Sequence, residues 1–249
     1  MTRSRAISTW ILLVSLASPA LAGVAVEVAK IEHRDGETLR LTLNAEMGES
    51  WREVNVGRVV IRSTGRQERL AADAFQASRH LDLELADSGC SLVLVDLGPA
   101  SAKGHSDSWR RITRSTKILS CPAGGNPYAA LRERARAGAM AMAKVGGTIE
   151  IRPFVNPALM RAGSDLPVRI YVENAPQAGV EVLALGPQGR RLSAVTDAVG
   201  VANFTLPDSG HWVIRYTVLR DGTPLIAELE FDLAPETFWN SLPAPGGGK

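Results

Sequence analysis

The chain has 249 residues, with 28 Lys and Arg against 26 Asp and Glu, a length that fits two modest domains better than one. Residues 1–22 contain Arg3 and Arg5 and no acid, so the remaining residues, 23–249, are formally neutral. That balance excludes bulk electrostatics as a means of capturing nucleic acid or an anionic membrane.

The N-terminus reads as an export signal. Arg3 and Arg5 precede an apolar run from Trp10 to Leu16, and Pro19-Ala20-Leu21-Ala22 ends in the small-x-small pattern of a cleavage site. The expectation is a signal peptide over 1–22 and a mature chain from Gly23, with an uncleaved anchor as the alternative. Nothing later approaches the roughly 18 apolar residues of a membrane span. No Cys follows the cleavage site, so a lipoprotein is not indicated.

From Gly23 the chain reads as short strands. Val24, Val26 and Val28 alternate, then Leu39, Leu41 and Leu43, then Leu81, Leu83 and Leu85, then Leu92 and Leu94. A period of two puts each set on one face of a sheet. Turn signals at Asp35-Gly36, Ser63-Thr64-Gly65 and Ser88-Gly89 separate them, and an N-terminal β-sandwich over 23–121 is expected. Cys90 and Cys121 are the two cysteines. In an exported chain they are expected to be bonded to each other, the competing reading being two thiolates on a soft metal. The run Trp109 to Lys117, with Arg110, Arg111 and Arg114, reads as the solvated face of a strand whose other face is apolar.

From Pro122 the composition shifts to Gly, Ala and Arg. Tyr128, Leu131 and Ala135 recur at helical spacing, and Gly146-Gly147 ends the segment. Residues 122–147 are expected to connect two domains and to dock one amphipathic helix, with partial disorder as the alternative. Met140 and Met142 stand two apart, so on a helix they do not share a face. Strand patterns resume at Ile149 and Ile151, at Leu166, Val168, Ile170 and Val172, and from Gly179 to Leu185. The stretch Thr196 to Tyr216 reads as a hairpin, with turn residues at Asp197 to Gly200, an alternating run, the reversal Pro207-Asp208-Ser209-Gly210 and a second alternating run. With Leu225 to Leu233 these make a second sandwich over 148–233, of immunoglobulin or transthyretin-like type. Residues 234–249, rich in Pro and Gly, are expected to form a flexible tail. The fold class is therefore all-β, two sandwich domains joined by a connector with one helix.

Gly147-Thr148-Ile149-Glu150-Ile151-Arg152-Pro153, Asn156-Pro157 and Arg161 to Arg169 resemble the opening of the C-terminal domain of a bacterial periplasmic family of unassigned function, associated with nickel and cobalt uptake. Ala175 to Val182 and Thr196 to Tyr216 are similar to the same family. The resemblance covers about 147–233 and is much weaker over 23–121. It implies a periplasmic location and a divalent transition metal, nickel or cobalt, as cofactor or cargo. The family's early histidine is missing here, where the mature chain opens Gly23-Val24-Ala25-Val26 and the first imidazole is His33.

Four histidines, His33, His80, His105 and His211, show no spacing that builds a metal site from one element. The loop Lys103 to Trp109 places His105 beside Asp107, and these two with His33 are the candidate metal ligands. An ordinary polar loop is the plain alternative, and His211 reads as a strand-end residue bonded to a loop. No GxSxG elbow, HExxH helix or phosphate-binding glycine loop occurs, so no enzyme is expected. A weak hydrolase using His105 and Asp107 is the remaining catalytic option. The expected function is a periplasmic non-enzymatic binding or accessory protein that assists metal uptake, with a membrane transporter or another envelope protein as partner. The alternative is a structural or assembly module that pairs a sheet edge with an envelope protein and holds no metal.

Overall fold

The computed structural model describes residues 24–33, 36–45, 50–53, 56–63, 66–70, 80–84, 90–103, 109–121 and 126–242. Among them sixteen strands run in chain order. They are β1 (Val24–His33), β2 (Gly36–Ala45), β3 (Ser50–Glu53), β4 (Val56–Ser63), β5 (Arg66–Leu70), β6 (His80–Glu84), β7 (Ser91–Lys103) and β8 (Trp109–Ser120), followed by β9 (Ile149–Pro153), β10 (Ser164–Val172), β11 (Ala175–Pro176), β12 (Glu181–Leu185), β13 (Arg191–Val195), β14 (Val201–Leu206), β15 (Gly210–Arg220) and β16 (Thr223–Leu233). Helix α1 (Pro127–Met142) lies between β8 and β9, and α2 (Glu236–Asn240) comes after β16.

The strands form three sheets. One has three strands in the order β1-β2-β6. A second has four, with β10 flanked by β9 and by β14 and β11. The third has nine, ordered β13-β12-β15-β16-β8-β7-β4-β5, with β3 also on β7. Its middle is unexpected. β8 and β16 pair in parallel from Leu225 opposite Thr113 to Phe231 opposite Leu119, so one hydrogen-bonded sheet crosses the position where the sequence pattern parts two domains.

The core lies between the four-stranded sheet and one face of the nine-stranded one. Ile149, Ile151, Leu166, Val168, Ile170, Phe204 and Leu206 from the smaller sheet meet Trp212, Ile214, Leu225, Leu229, Phe231 and Leu233 from the larger. The same cluster continues into Leu92, Leu94 and Leu119 of β7 and β8. The strands alternate as the sequence indicates: in β14 Ala202, Phe204 and Leu206 are buried while Asn203 and Thr205 are exposed. Each fully buried aliphatic side chain contributes about 1.5–3 kcal/mol. The other face of the nine-stranded sheet also buries apolar side chains, at Val59, Val93, Val95, Leu97, Ile118 and Ile226, so its central strands are covered on both sides.

Three local expectations change. Thr196 to Tyr216 is not a hairpin: β14 pairs with β10 in the smaller sheet, whereas β15 pairs with β12 and β16 in the larger. Pro207 to Ser209 therefore carries the chain from one layer to the other. The crossing is held by the Trp212 indole N–H, which donates to the Asp208 carbonyl at 2.9 Å, and by Arg190 on the Asp208 carboxylate at 2.5 Å.

Helix α1 exists where the spacing places it, capped by Asn126, whose side chain accepts from the Tyr128 and Ala129 amides. Its buried face is not the Tyr128-Leu131-Ala135 stripe, since Tyr128 is exposed. Arg134, Ala137, Gly138 and Ala141 face inward instead. Small residues win because Asn156 comes so close that a Cβ on Gly138 would overlap its side-chain amide. Finally, the expected flexible tail contains α2, with Trp239 buried. Its Phe238 ring lies 4.9 Å under the Arg134 guanidinium, and Arg161 lies 4.9 Å over Trp239, so two cation–π contacts dock it.

Candidate functional site

His105 and Asp107 fall in 104–108, outside the described residues. His33 ends β1 opposite Gly36 in the backbone pairing. Among the described residues no group of three His, Cys, Asp or Glu is placed to hold a metal ion. Cys90 and Cys121 are bonded to each other, 31 residues apart in sequence, which overturns the thiolate-metal alternative. The bond ties the start of β7 to the residue just after β8, and both cysteines lie in the core.

Two members of the basic run in β8 are not on a solvated face. Arg114 and Lys117 are buried and project to opposite sides of the strand. On one side Arg114 meets Glu228 of β16 at 3.4 Å, the Thr116 hydroxyl donates to Glu228 at 3.1 Å, and Arg215 of β15 donates to it at 2.7 Å. The registers Thr116 opposite Glu228 and Arg215 opposite Glu228 produce this row. Two residues further on, Glu230 is also buried. Burial first, and then Glu228, push its carboxyl up to about 8, with His211, Arg114 and Arg215 pulling the other way. At neutral pH Glu230 is thus mostly protonated, while Glu228 lies between the Arg114 and Arg215 guanidiniums. His211 ends the row: its Nδ1 is 3.1 Å from Asp232 and its Nε2 is 3.8 Å from Glu230. It pairs with the neighbouring strand, not with a loop.

On the other side Lys117 forms a buried ion pair with Glu150 of β9 at 2.6 Å. Glu150 also accepts from the Val145 and Gly146 amides at 2.9 and 3.0 Å, and Lys117 donates to the Ala143 carbonyl. One carboxylate thereby fastens the end of the connector to β8 and β9. Burial lowers the Lys117 pKa, with Glu150 opposing.

The outer face of the four-stranded sheet holds a different arrangement. Arg152 of β9 lies directly opposite Arg169 of β10, and Tyr171 comes two residues later on the same face. Opposed like charges destabilise a strand pair, yet among the described residues neither guanidinium forms an ion pair. Arg152 Nε donates to the Met142 carbonyl at 2.7 Å. Arg169 Nε is buried without an acceptor. The Phe154 ring lies 4.8 Å from the Arg169 guanidinium and 5.9 Å from that of Arg152, and Lys144 covers the Tyr171 ring at 4.3 Å. Burial pushes the Tyr171 phenol up, but Arg169 and Arg152 more than offset this and leave it more acidic than a free phenol. By contrast, the cation in a half-open pocket of about 390 Å³ between Val172 and Arg220 is already occupied, since Arg220 pairs with Glu173 at 2.7 Å.

Sequence reasoning misses Arg152, Arg169, Glu228 and Glu230. Each alternates correctly with apolar neighbours, so each reads as an ordinary outward position. What brings them together is cross-strand register, which a single sequence does not print.

These features define a mostly-β protein of sandwich-like sheets carrying one disulfide. Residues 131–221 match the profile of a domain of unknown function (DUF4198); the match begins inside α1 and runs through β15. No curated protein matches the chain. Among solved structures, a bacterial ice-binding adhesin is similar at 10% identity and a TM-score of 0.26, over 86% of this chain and 64% of that one. A two-domain fibronectin type III segment of chicken tenascin is similar at 10% identity and 0.22, over 85% and 99%. Fibronectin(III)-like modules of Clostridium thermocellum CbhA are similar at 11% identity and 0.24, over 84% and 94%. The match thus spans under two thirds of the solved adhesin chain. The architecture rests on the strand pairing and not on these likenesses.

Proposed function

We propose that this is an exported, non-enzymatic binding or accessory protein of the cell envelope. The observation that carries the reading is how the buried charges are used: Lys117–Glu150 and Arg114–Glu228–Arg215 fasten strands and connector to one another instead of converging on a cleft. A framework of this kind suits holding and presenting a ligand. The Cys90–Cys121 bond fits an oxidising compartment such as the periplasm, and no described helix is long and apolar enough to cross a membrane.

The finer reading is that the protein assists nickel or cobalt uptake, with His33, His105 and Asp107 as ligands and a membrane transporter as partner. It is supported by the resemblance over 147–233. Calorimetric titration of the metal-stripped protein with nickel, cobalt, copper and zinc tests it. Binding that weakens in His105→Ala supports the assignment, and no heat for any of the four ions removes the metal.

One feature favours a second reading, an assembly module without metal. β13 is a terminal strand of the nine-stranded sheet, and Val195 on it is 65% exposed. An unpaired edge of this sort is a template for strand addition. Loss of a co-purifying envelope protein on Ser193→Pro supports this reading; retention of that partner removes it.

A further inference from the structure

We propose that Arg152, Arg169 and the Tyr171 hydroxyl form a binding site for a doubly charged oxyanion of the phosphate class. Register brings the three together. Arg152 and Arg169 are cross-strand partners on one face, and Tyr171 stands next along β10 on that face. Three further observations give the cluster the character of a site.

First, the two positive charges are uncompensated. Glu150, the nearest acid on β9, is already engaged by Lys117 and by two backbone amides. Second, the geometry is fixed in advance. The Met142 carbonyl holds Arg152 through Nε, the Phe154 ring lies near both guanidiniums, and Lys144 sits on Tyr171 and reaches the Asn174 carbonyl. Third, a donor is left over: Arg169 Nε is buried with no acceptor, a state that buried polar groups seldom tolerate.

The chemistry of the donors selects the ligand. Guanidinium forks match the oxygens of phosphate bidentately, and a phenolic O–H adds a donor to a third oxygen. A monocarboxylate would neutralise one arginine of the two, whereas a phosphate dianion balances both. Arg152 and Arg169 are half-buried and Tyr171 is buried beside them, a setting that admits a phosphate that is free or one borne by a lipid headgroup. No metal is required, so the site stands or falls independently of nickel and cobalt.

The test is calorimetric titration of the purified, chelator-treated protein with inorganic phosphate at constant ionic strength, beside phosphatidylcholine vesicles with and without phosphatidic acid. Saturable binding to either phosphate source is expected, weakened about tenfold or more by Arg169→Gln and also by Arg169→Lys, which keeps the charge but loses the fork. Binding to inorganic phosphate assigns the free ion. Binding to phosphatidic acid vesicles alone assigns the headgroup. Tyrosine absorbance gives a second readout: the component lost in Tyr171→Phe is expected to titrate at higher pH when phosphate is bound. Folding is controlled by denaturant unfolding in phosphate-free buffer, where Arg169→Gln is expected to be at least as stable as the parent because a like-charge contact is gone. Absence of saturable binding to both sources, or equal binding by the parent and Arg169→Gln, overturns the proposal.

Discussion

Glu230 shows how far one buried carboxyl can bend the stability of the whole chain. Its native pKa is about 8, against 4.5 for the ordinary group. Between those values the native state holds a proton that the unfolded chain has released, so stability falls as pH rises through that window. Glu230→Gln removes the titration. The variant is expected to lose that slope and to be more stable than the parent above about pH 8, with an upper bound on the order of 5 kcal/mol, read from urea midpoints across pH. Gly138 makes an opposite point. Gly→Ala in a helix interior normally stabilises by about 1 kcal/mol, but here the added methyl runs into Asn156, and Asn156 holds the Arg134 carbonyl through its amide. Gly138→Ala is therefore expected to lower the melting temperature, and a rise would show that Asn156 swings away freely. Neither residue is legible as special in the sequence. A glutamate in an alternating strand and a glycine among alanines both look ordinary until a neighbour's position is known.

At the scale of elements, α1 is legible in its extent and not in its orientation. Pro127 and Asn126 mark its start, but its side-chain stripe misleads, because close approach to Asn156 and the 3-10 turn at Pro157–Leu159 outweighs the apolar area of Tyr128 and Leu131. What fastens the helix end is the Lys117–Glu150 pair. Removing one partner of a buried ion pair costs about 3–5 kcal/mol. Glu150→Ala is expected to destabilise in that range and to speed tryptic cleavage at the exposed Arg132 and Arg136, whereas Arg190→Ala on the exposed pair with Asp208 is expected to cost under about 1 kcal/mol. Lys117 adds a pH signature: its native pKa lies below 10.5, so the unfolded chain binds the extra proton and stability rises with pH through the alkaline range up to that value. Strand positions in 148–233 follow from alternation. The partner of each strand does not, and the passage from β14 to β15 illustrates why: a tight reversal between two alternating runs describes a hairpin and a layer crossing equally well.

For the whole molecule, the parallel pairing of β8 with β16 and the shared apolar cluster make the two halves of the sequence depend on each other. A fragment beginning at residue 148 would leave β16 as an edge and uncover Leu229 and Phe231. It is expected to melt well below the full chain and to bind a hydrophobic dye; parent-like melting would support two independent units. Reduction of Cys90–Cys121 is expected to cost about 3–4 kcal/mol on the chain-entropy view, visible as a lower denaturant midpoint. The same long-range pairing sets a timetable. Thr116 and Glu228 are joined across 112 positions of chain, so the central ladder cannot zip until nearly the entire polypeptide has been delivered, and contacts of such sequence distance form late. A chain that cannot close its middle early stays open until its last strands are in hand.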